Sequence, residues 1–369
     1  MVGHQRVNIA MTSLDAAARK ASAPEDGRIR QRSRDKCPAC GTGSVVVYDQ
    51  LFDRTYGVPG KWSLRQCTEP ECGTLFLDPV PVAEDLVQLY ARDDFYTHLA
   101  SEPSSPTRLR TIYDQGIVAY LSRRWGYPRQ KARTIYGLLL HLAPLHRFYA
   151  DRCVMFLPAC PGGRLLDVGC GNGEFLVRAK SLGWVVEGLD FDPAAVSCAR
   201  ERGLRVYLGT LQDQRLASGM YDVITMSHVI EHVPEPLQLL SECHRILKPG
   251  GRLVALTPNT QSTAHRKFRK NWFYLEPPRH LQLFNAVGLG RLARNAGFVS
   301  TEMASDCHGA AFNFVASPVI RRTGEFDLNA PWSLRDKIRA LVWEMAELAL
   351  VTIRPLAGEE LRLIAVKGA

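Results

Sequence analysis

The chain has 369 residues, 46% hydrophobic and 9% aromatic, which is enough to bury a sizeable core and too long for one typical domain. Its net charge of +9 favours anionic partners such as phosphate esters, nucleic acid or a lipid surface without choosing among them. No run of about 18 uncharged apolar residues exists, which excludes a membrane-spanning helix.

The first 35 residues are polar, Arg-rich and poor in aromatics, and read as a disordered basic tail rather than a secretory signal. Ten cysteines without such a signal point to reduced thiols and a cytoplasmic protein. Four of them form two close pairs, Cys37-Pro-Ala-Cys40-Gly and Cys67-x4-Cys72-Gly, with 26 residues between. Two such knuckles satisfy tetrahedral zinc, and four protein ligands leave no open catalytic position. Residues 36–81 are therefore expected to form a structural zinc ribbon on Cys37, Cys40, Cys67 and Cys72. A redox Cys-x-x-Cys would need a thioredoxin-like strand–helix unit, which is absent.

Residues 82–150 read mainly as helices, a lid or linker. From Arg164 the pattern alternates between strand and helix. Strands are expected over Leu165–Val168, Trp184–Asp190, Leu204–Leu208, Tyr221–Met226, Arg252–Thr257 and Leu361–Val366, with helices at Glu174–Leu182 and Pro193–Arg202. This predicts an α/β domain over 151–369, a doubly wound, mostly parallel sheet, with an insertion at 258–285 and further helices within 309–359.

Asp167-Val168-Gly169-Cys170-Gly171-Asn172-Gly173 leaves the first of these strands and opens a helix, the place where such sheets bind ligands. Asp190 ends the second strand, where a carboxylate can accept ribose hydroxyls. Met226-Ser227-His228 ends the fourth, followed by Glu231-His232-Val233-Pro234 and the Lys248-Pro-Gly-Gly turn. As an ordered set, these motifs resemble the class I S-adenosylmethionine-dependent methyltransferases, with their seven-stranded sheet. The resemblance implies that Asp167, Gly169, Gly171 and Gly173 hold the methionine and ribose portion of the cofactor. It implies Asp190 at the ribose, Phe191 beside the adenine, and Met226, Ser227 and His228 lining the site. Gly209 to Asp213 offer no clear adenine-amine acceptor. His228-Val-Ile-Glu231-His232 matches a zinc-protease spacing by accident, since the methyltransferase pattern already accounts for it. Related ubiquinone-biosynthesis enzymes hold a metal through an acidic motif here, where this chain has His228 in place of one acid.

Trp272-Phe-Tyr274-Leu-Glu276-Pro-Pro-Arg-His280-Leu-Gln-Leu-Phe284 concentrates aromatics and proton carriers. It is similar to the Pro-Pro-x-His-Leu segment of methyltransferases encoded among sugar and polysaccharide genes. This resemblance implies an acceptor facing Tyr274, Glu276 and His280. His280 is the candidate base, since an imidazole can take a proton near neutral pH. Glu276 would orient it and Tyr274 would bind the acceptor. The expected acceptor is a sugar, glycan or related small molecule, free or linked to a lipid or nucleotide, methylated on a hydroxyl oxygen or activated carbon. Two alternatives stand beside it, an RNA base methyltransferase and a non-catalytic partner that binds cofactor and zinc. The amphipathic stretch from Ile338 to Leu350 packs on the domain or lies on the inner face of a membrane.

Overall fold

The computed structural model describes residues 29–90, 108–128 and 143–369. Most of the tail, and residues 91–107 and 129–142 of the lid, lie outside the described residues. Thirteen strands occur among those described. They are β1 Gln31–Arg32, β2 Ser44–Leu51, β3 Trp62–Cys67, β4 Leu75–Asp78, β5 Val80–Pro81, β6 Arg164–Val168, β7 Val185–Asp190, β8 Val206–Leu208, β9 Tyr221–Ser227, β10 Leu247–Pro258, β11 Gln282–Leu283, β12 Ser300–Asp306 and β13 Glu360–Val366.

Short apolar runs such as Leu165-Leu166 and Val223-Ile224 are buried on both faces, as a covered parallel sheet requires. They form the centre of a seven-stranded sheet in the order β12-β13-β10-β9-β6-β7-β8. β7, β8, β6, β9 and β10 pair parallel, while β13 runs antiparallel between β10 and β12. Strand order reverses between β6 and β9, so a crevice opens at their carboxyl ends. Both the glycine loop after β6 and His228 after β9 sit at that edge. The helices Glu174–Ser181 and Pro193–Glu201 return the chain between β6, β7 and β8. Asp192 caps the second of them by accepting from Ala194 N–H at 2.9 Å, with Pro193 at its first position.

The cysteine segment is built into this domain. Strands β2, β3 and β4 form an antiparallel sheet whose fourth member is β11 from the 258–285 insertion, with Gln282 opposite Phe76 and Leu283 opposite Leu75. Trp62, Leu64, Leu75 and Leu77 share one core with Ala264, Trp272, Leu281, Leu283 and Phe314. Cys67, Cys72 and Phe76 pack into the main core beside Phe284, Ala286 and Leu289. At the edge of the tail, β1 pairs with β5, and Arg30 grips the buried Asp85 carboxylate at 2.7 Å.

Candidate active site and cysteine cluster

The loop after β6 turns through left-handed backbone at Gly169, Gly171 and Gly173, with φ of +74°, +53° and +79°. A side chain at Gly169 would strike Val229 at 2.4 Å, and one at Gly173 would strike Leu204 at 2.4 Å. Gly171 differs, because nothing lies within 4 Å of where its Cβ would be. The loop thus packs tightly at both ends and faces open space in the middle. Asp190 fixes it: Gly171 N–H donates to Oδ2 at 2.8 Å and Asp192 N–H to Oδ1 at 3.0 Å. Burial raises the Asp190 pKa. Asp167 lies beneath and accepts from the Thr225 hydroxyl at 2.6 Å, and burial pushes it up to about 7. Phe191 stays partly exposed. Its ring meets Tyr90 edge-on at 5.0 Å, a contact that nothing in the sequence pattern had indicated. The Tyr90 hydroxyl lies 2.9 Å from His232 Nδ1, so the segment following β5 reaches over both sides of the crevice.

Met226 is fully buried in the core under the strand end, whereas Ser227 and His228 are partly exposed at it. His228 adopts strained left-handed backbone, φ +54°. Its Nε2 lies 2.5 Å from Glu360 Oε1 and its Nδ1 3.1 Å from Glu231 Oε1. Burial alone would drive off the imidazole proton, but the Glu360 and Glu231 carboxylates outweigh it and hold the pKa near 10. His228 is therefore a fixed imidazolium at neutral pH, not a base. Glu360 also pairs with Arg152. Glu359 accepts from Ala264 N–H at 2.7 Å and from the Trp272 indole at 3.3 Å.

The three candidate acceptor-side residues do come together. The Nδ1–H of His280 donates to the Tyr274 carbonyl at 2.6 Å, which leaves Nε2 as the ring nitrogen free for another partner. Glu276 Oε2 lies 3.6 Å from that Nε2, while Glu276 Oε1 accepts from Arg279 Nε at 2.8 Å. The imidazole is thus oriented by a backbone carbonyl, and the carboxylate stands near its Nε2. The Tyr274 ring sits 6.5 Å from that of His280, and its hydroxyl is pressed so closely on Gly309 that a Cβ there would lie 2.2 Å away. His232 stacks edge-on to His280 at 4.7 Å, and burial together with His280 lowers its pKa to about 4. Ligand atoms of Glu231, His232 and His280 all lie within 4.8 Å of one another, close enough to share a cation.

Cys37, Cys40, Cys67 and Cys72 likewise place their sulfurs within 4.8 Å of one another. The closest pairs are Cys40–Cys67 at 3.4 Å and Cys37–Cys72 at 3.7 Å, far beyond the ~2.05 Å of a disulfide. A tetrahedron with ~2.3 Å metal–sulfur bonds has edges of ~3.8 Å, so the four thiols fit zinc. Ala39 N–H points to Cys37 Sγ at 3.4 Å, and Thr74 Oγ1 lies 3.2 Å from Cys72 Sγ.

The sequence is also similar to known methyltransferases. A family model described as a methyltransferase domain matches residues 141–302. The chain is 29% identical over 168 residues to a ubiquinone biosynthesis O-methyltransferase of Alkalilimnicola ehrlichii, covering 43% of this chain and 65% of that one. It is 34% identical over 154 residues to a probable S-adenosylmethionine-dependent methyltransferase of Mycolicibacterium smegmatis, covering 41% and 58%. It thus spans between about half and two thirds of the curated relatives it matches. A solved methyltransferase of Thermotoga maritima, a possible histamine N-methyltransferase, superposes with a TM-score of 0.41 at 20% identity, covering 68% of this chain and 99% of that one. Residues 141–302, which carry the glycine loop and Asp190, thus match a methyltransferase domain, set in a seven-stranded sheet with the strand order of the class I methyltransferase fold.

Proposed function

We propose that this protein methylates a hydroxyl oxygen, or an activated carbon, of a sugar, glycan or related small molecule, free or carried on a lipid or nucleotide. The observation that carries this reading is His280, tied through Nδ1–H to the Tyr274 carbonyl with Nε2 next to Glu276 and the ring against His232. Relatives named as O-methyltransferases support a small-molecule oxygen acceptor. Bound S-adenosylmethionine supplies an electrophilic methyl group and departs as S-adenosylhomocysteine. His280 Nε2 takes the acceptor proton as the oxygen–methyl bond forms and the sulfur–methyl bond breaks, and Glu276 stabilises the resulting imidazolium. Incubation with methyl-labelled cofactor and a panel of sugars, nucleotide sugars, polyprenyl-linked sugars and phenols tests the acceptor class. Label on sugar is expected; label confined to phenols or to RNA would replace the reading.

Asp190→Ala should weaken S-adenosylmethionine binding about ten- to a hundredfold, the loss of one charge-assisted contact of ~1.5–3 kcal/mol. Calorimetry checks it, and unchanged affinity would remove Asp190 from the ribose site.

The four cysteines are assigned to one structural zinc ion. Elemental analysis under reducing conditions should find one zinc per chain, lost in Cys72→Ser. Because Cys72 packs against the catalytic core, that variant should lower the unfolding temperature of the whole domain, not just of residues 36–81. Metal-free protein of full stability would refute the assignment.

A further inference from the structure

The helix Leu334–Ile353 turns its apolar residues outward. At about 100° per residue, Leu334, Ile338, Leu341, Val342, Met345 and Ile353 fall within one arc of about 120°. All six are exposed, from 43% for Met345 to 79% for Ile353. The inward face holds the helix by other means. Trp343 stacks on Phe314 with centroids 3.9 Å apart, Tyr149 bonds Glu344, and Glu347 and Ala340 are buried. A capping box at Ser333 and Asp336 fixes its start. The apolar arc is therefore not used for packing the described residues of this chain.

Cations border it. Arg335, Lys337 and Arg339 are exposed on either side of the arc, and Arg354 follows its end. Lys267 lies over the Trp343 ring at 5.1 Å, which brings the exposed run Arg266, Lys267, Arg269 and Lys270 alongside the same helix. An apolar stripe edged by lysine and arginine matches a surface that offers hydrocarbon beneath anionic headgroups. No helix among the described residues is long and apolar enough to cross a membrane, so the contact would be interfacial. We propose that the outward face of Leu334–Ile353, with the 266–270 basic run, docks this enzyme on an anionic lipid bilayer surface. This does not depend on the identity of the methyl acceptor. Its consequence is that a lipid-borne acceptor would be met at the membrane.

Co-sedimentation of the full chain with vesicles tests it, using phosphatidylglycerol mixed with phosphatidylcholine against phosphatidylcholine alone. Binding should be strong to the anionic vesicles, weak to the neutral ones, and reduced by salt. Leu341→Ser with Met345→Ser should lower the bound fraction on anionic vesicles about tenfold or more. The same variant should keep the wild-type unfolding temperature and cofactor affinity, which separates lost docking from lost folding. Folded wild-type protein that ignores anionic vesicles would overturn the proposal, as would a double variant that binds like wild type. A concentration-dependent dimer in ultracentrifugation that the double variant abolishes would overturn it too, by making the face an interface between copies.

Discussion

Arg279→Met is expected to destabilise the folded chain by about 3–5 kcal/mol, one of the two largest effects foreseen here. The Arg279 side chain is 1% exposed, and its guanidinium forks onto Asp53 with 2.8 and 3.0 Å contacts while Nε holds Glu276. The Tyr56 ring lies 4.3 Å beneath it. Methionine fills comparable volume but leaves one buried and one half-buried carboxylate without their cation. Three backbone N–H groups, from Thr55, Tyr56 and Val58, would still reach Asp53, which places the loss within this range rather than above it. The sign of its pH dependence follows. Burial would raise both carboxyl groups, but Arg279 outweighs it and holds Asp53 and Glu276 below their ordinary values. A depressed carboxylate stabilises above its unfolded pKa and loses that contribution as pH falls. The gap between wild type and Arg279→Met should therefore narrow on acidification below about pH 4. Urea unfolding at neutral and acidic pH measures both. A loss under 1 kcal/mol, or a gap that widens in acid, would mean that the pair contributes little.

The second large effect concerns chemistry. His280→Ala should reduce turnover about 10²-fold or more while cofactor affinity stays near wild type. The loss should shrink as pH rises, because a more ionised acceptor has less need of a base. Glu276→Gln should do milder damage, since the Tyr274 carbonyl, not Glu276, orients the ring. Full activity in His280→Ala would make the residue structural. Activity that instead follows added divalent cation would cast His280, His232 and Glu231 as ligands rather than His280 as a base.

Much of the catalytic domain was legible in the sequence because its strands are short apolar runs bounded by turn residues. The structure places β7 and β9 within a residue of the expected ends, and the glycine loop where the motif puts it. The antiparallel edge β12 was missed. Its sequence, Ser-Thr-Glu-Met-Ala-Ser-Asp, is half exposed and lacks apolar alternation, so only pairing with β13 makes it a strand. β11 escaped for a similar reason: two residues carry no period, and their strand exists only by adding to β4. Buried charges carry no local signal: Glu359 and Glu360 are fully buried, because Arg152, His228, Trp272 and the start of the 263–268 helix converge on them in space. Asp53 and Arg279 are 226 residues apart, a partnership no local pattern can signal. Conversely, Tyr274, Glu276 and His280 do lie near one another, but the orienting hydrogen bond expected from the carboxylate is made by a backbone carbonyl.

The most direct test of the central claim is isothermal titration of the intact, zinc-replete protein with S-adenosylmethionine. Saturable binding of one equivalent per chain is expected, competed by S-adenosylhomocysteine at the same site. Folded protein that binds neither compound would contradict it, because the cradle around Gly171 would then be a methyltransferase fold without its cofactor.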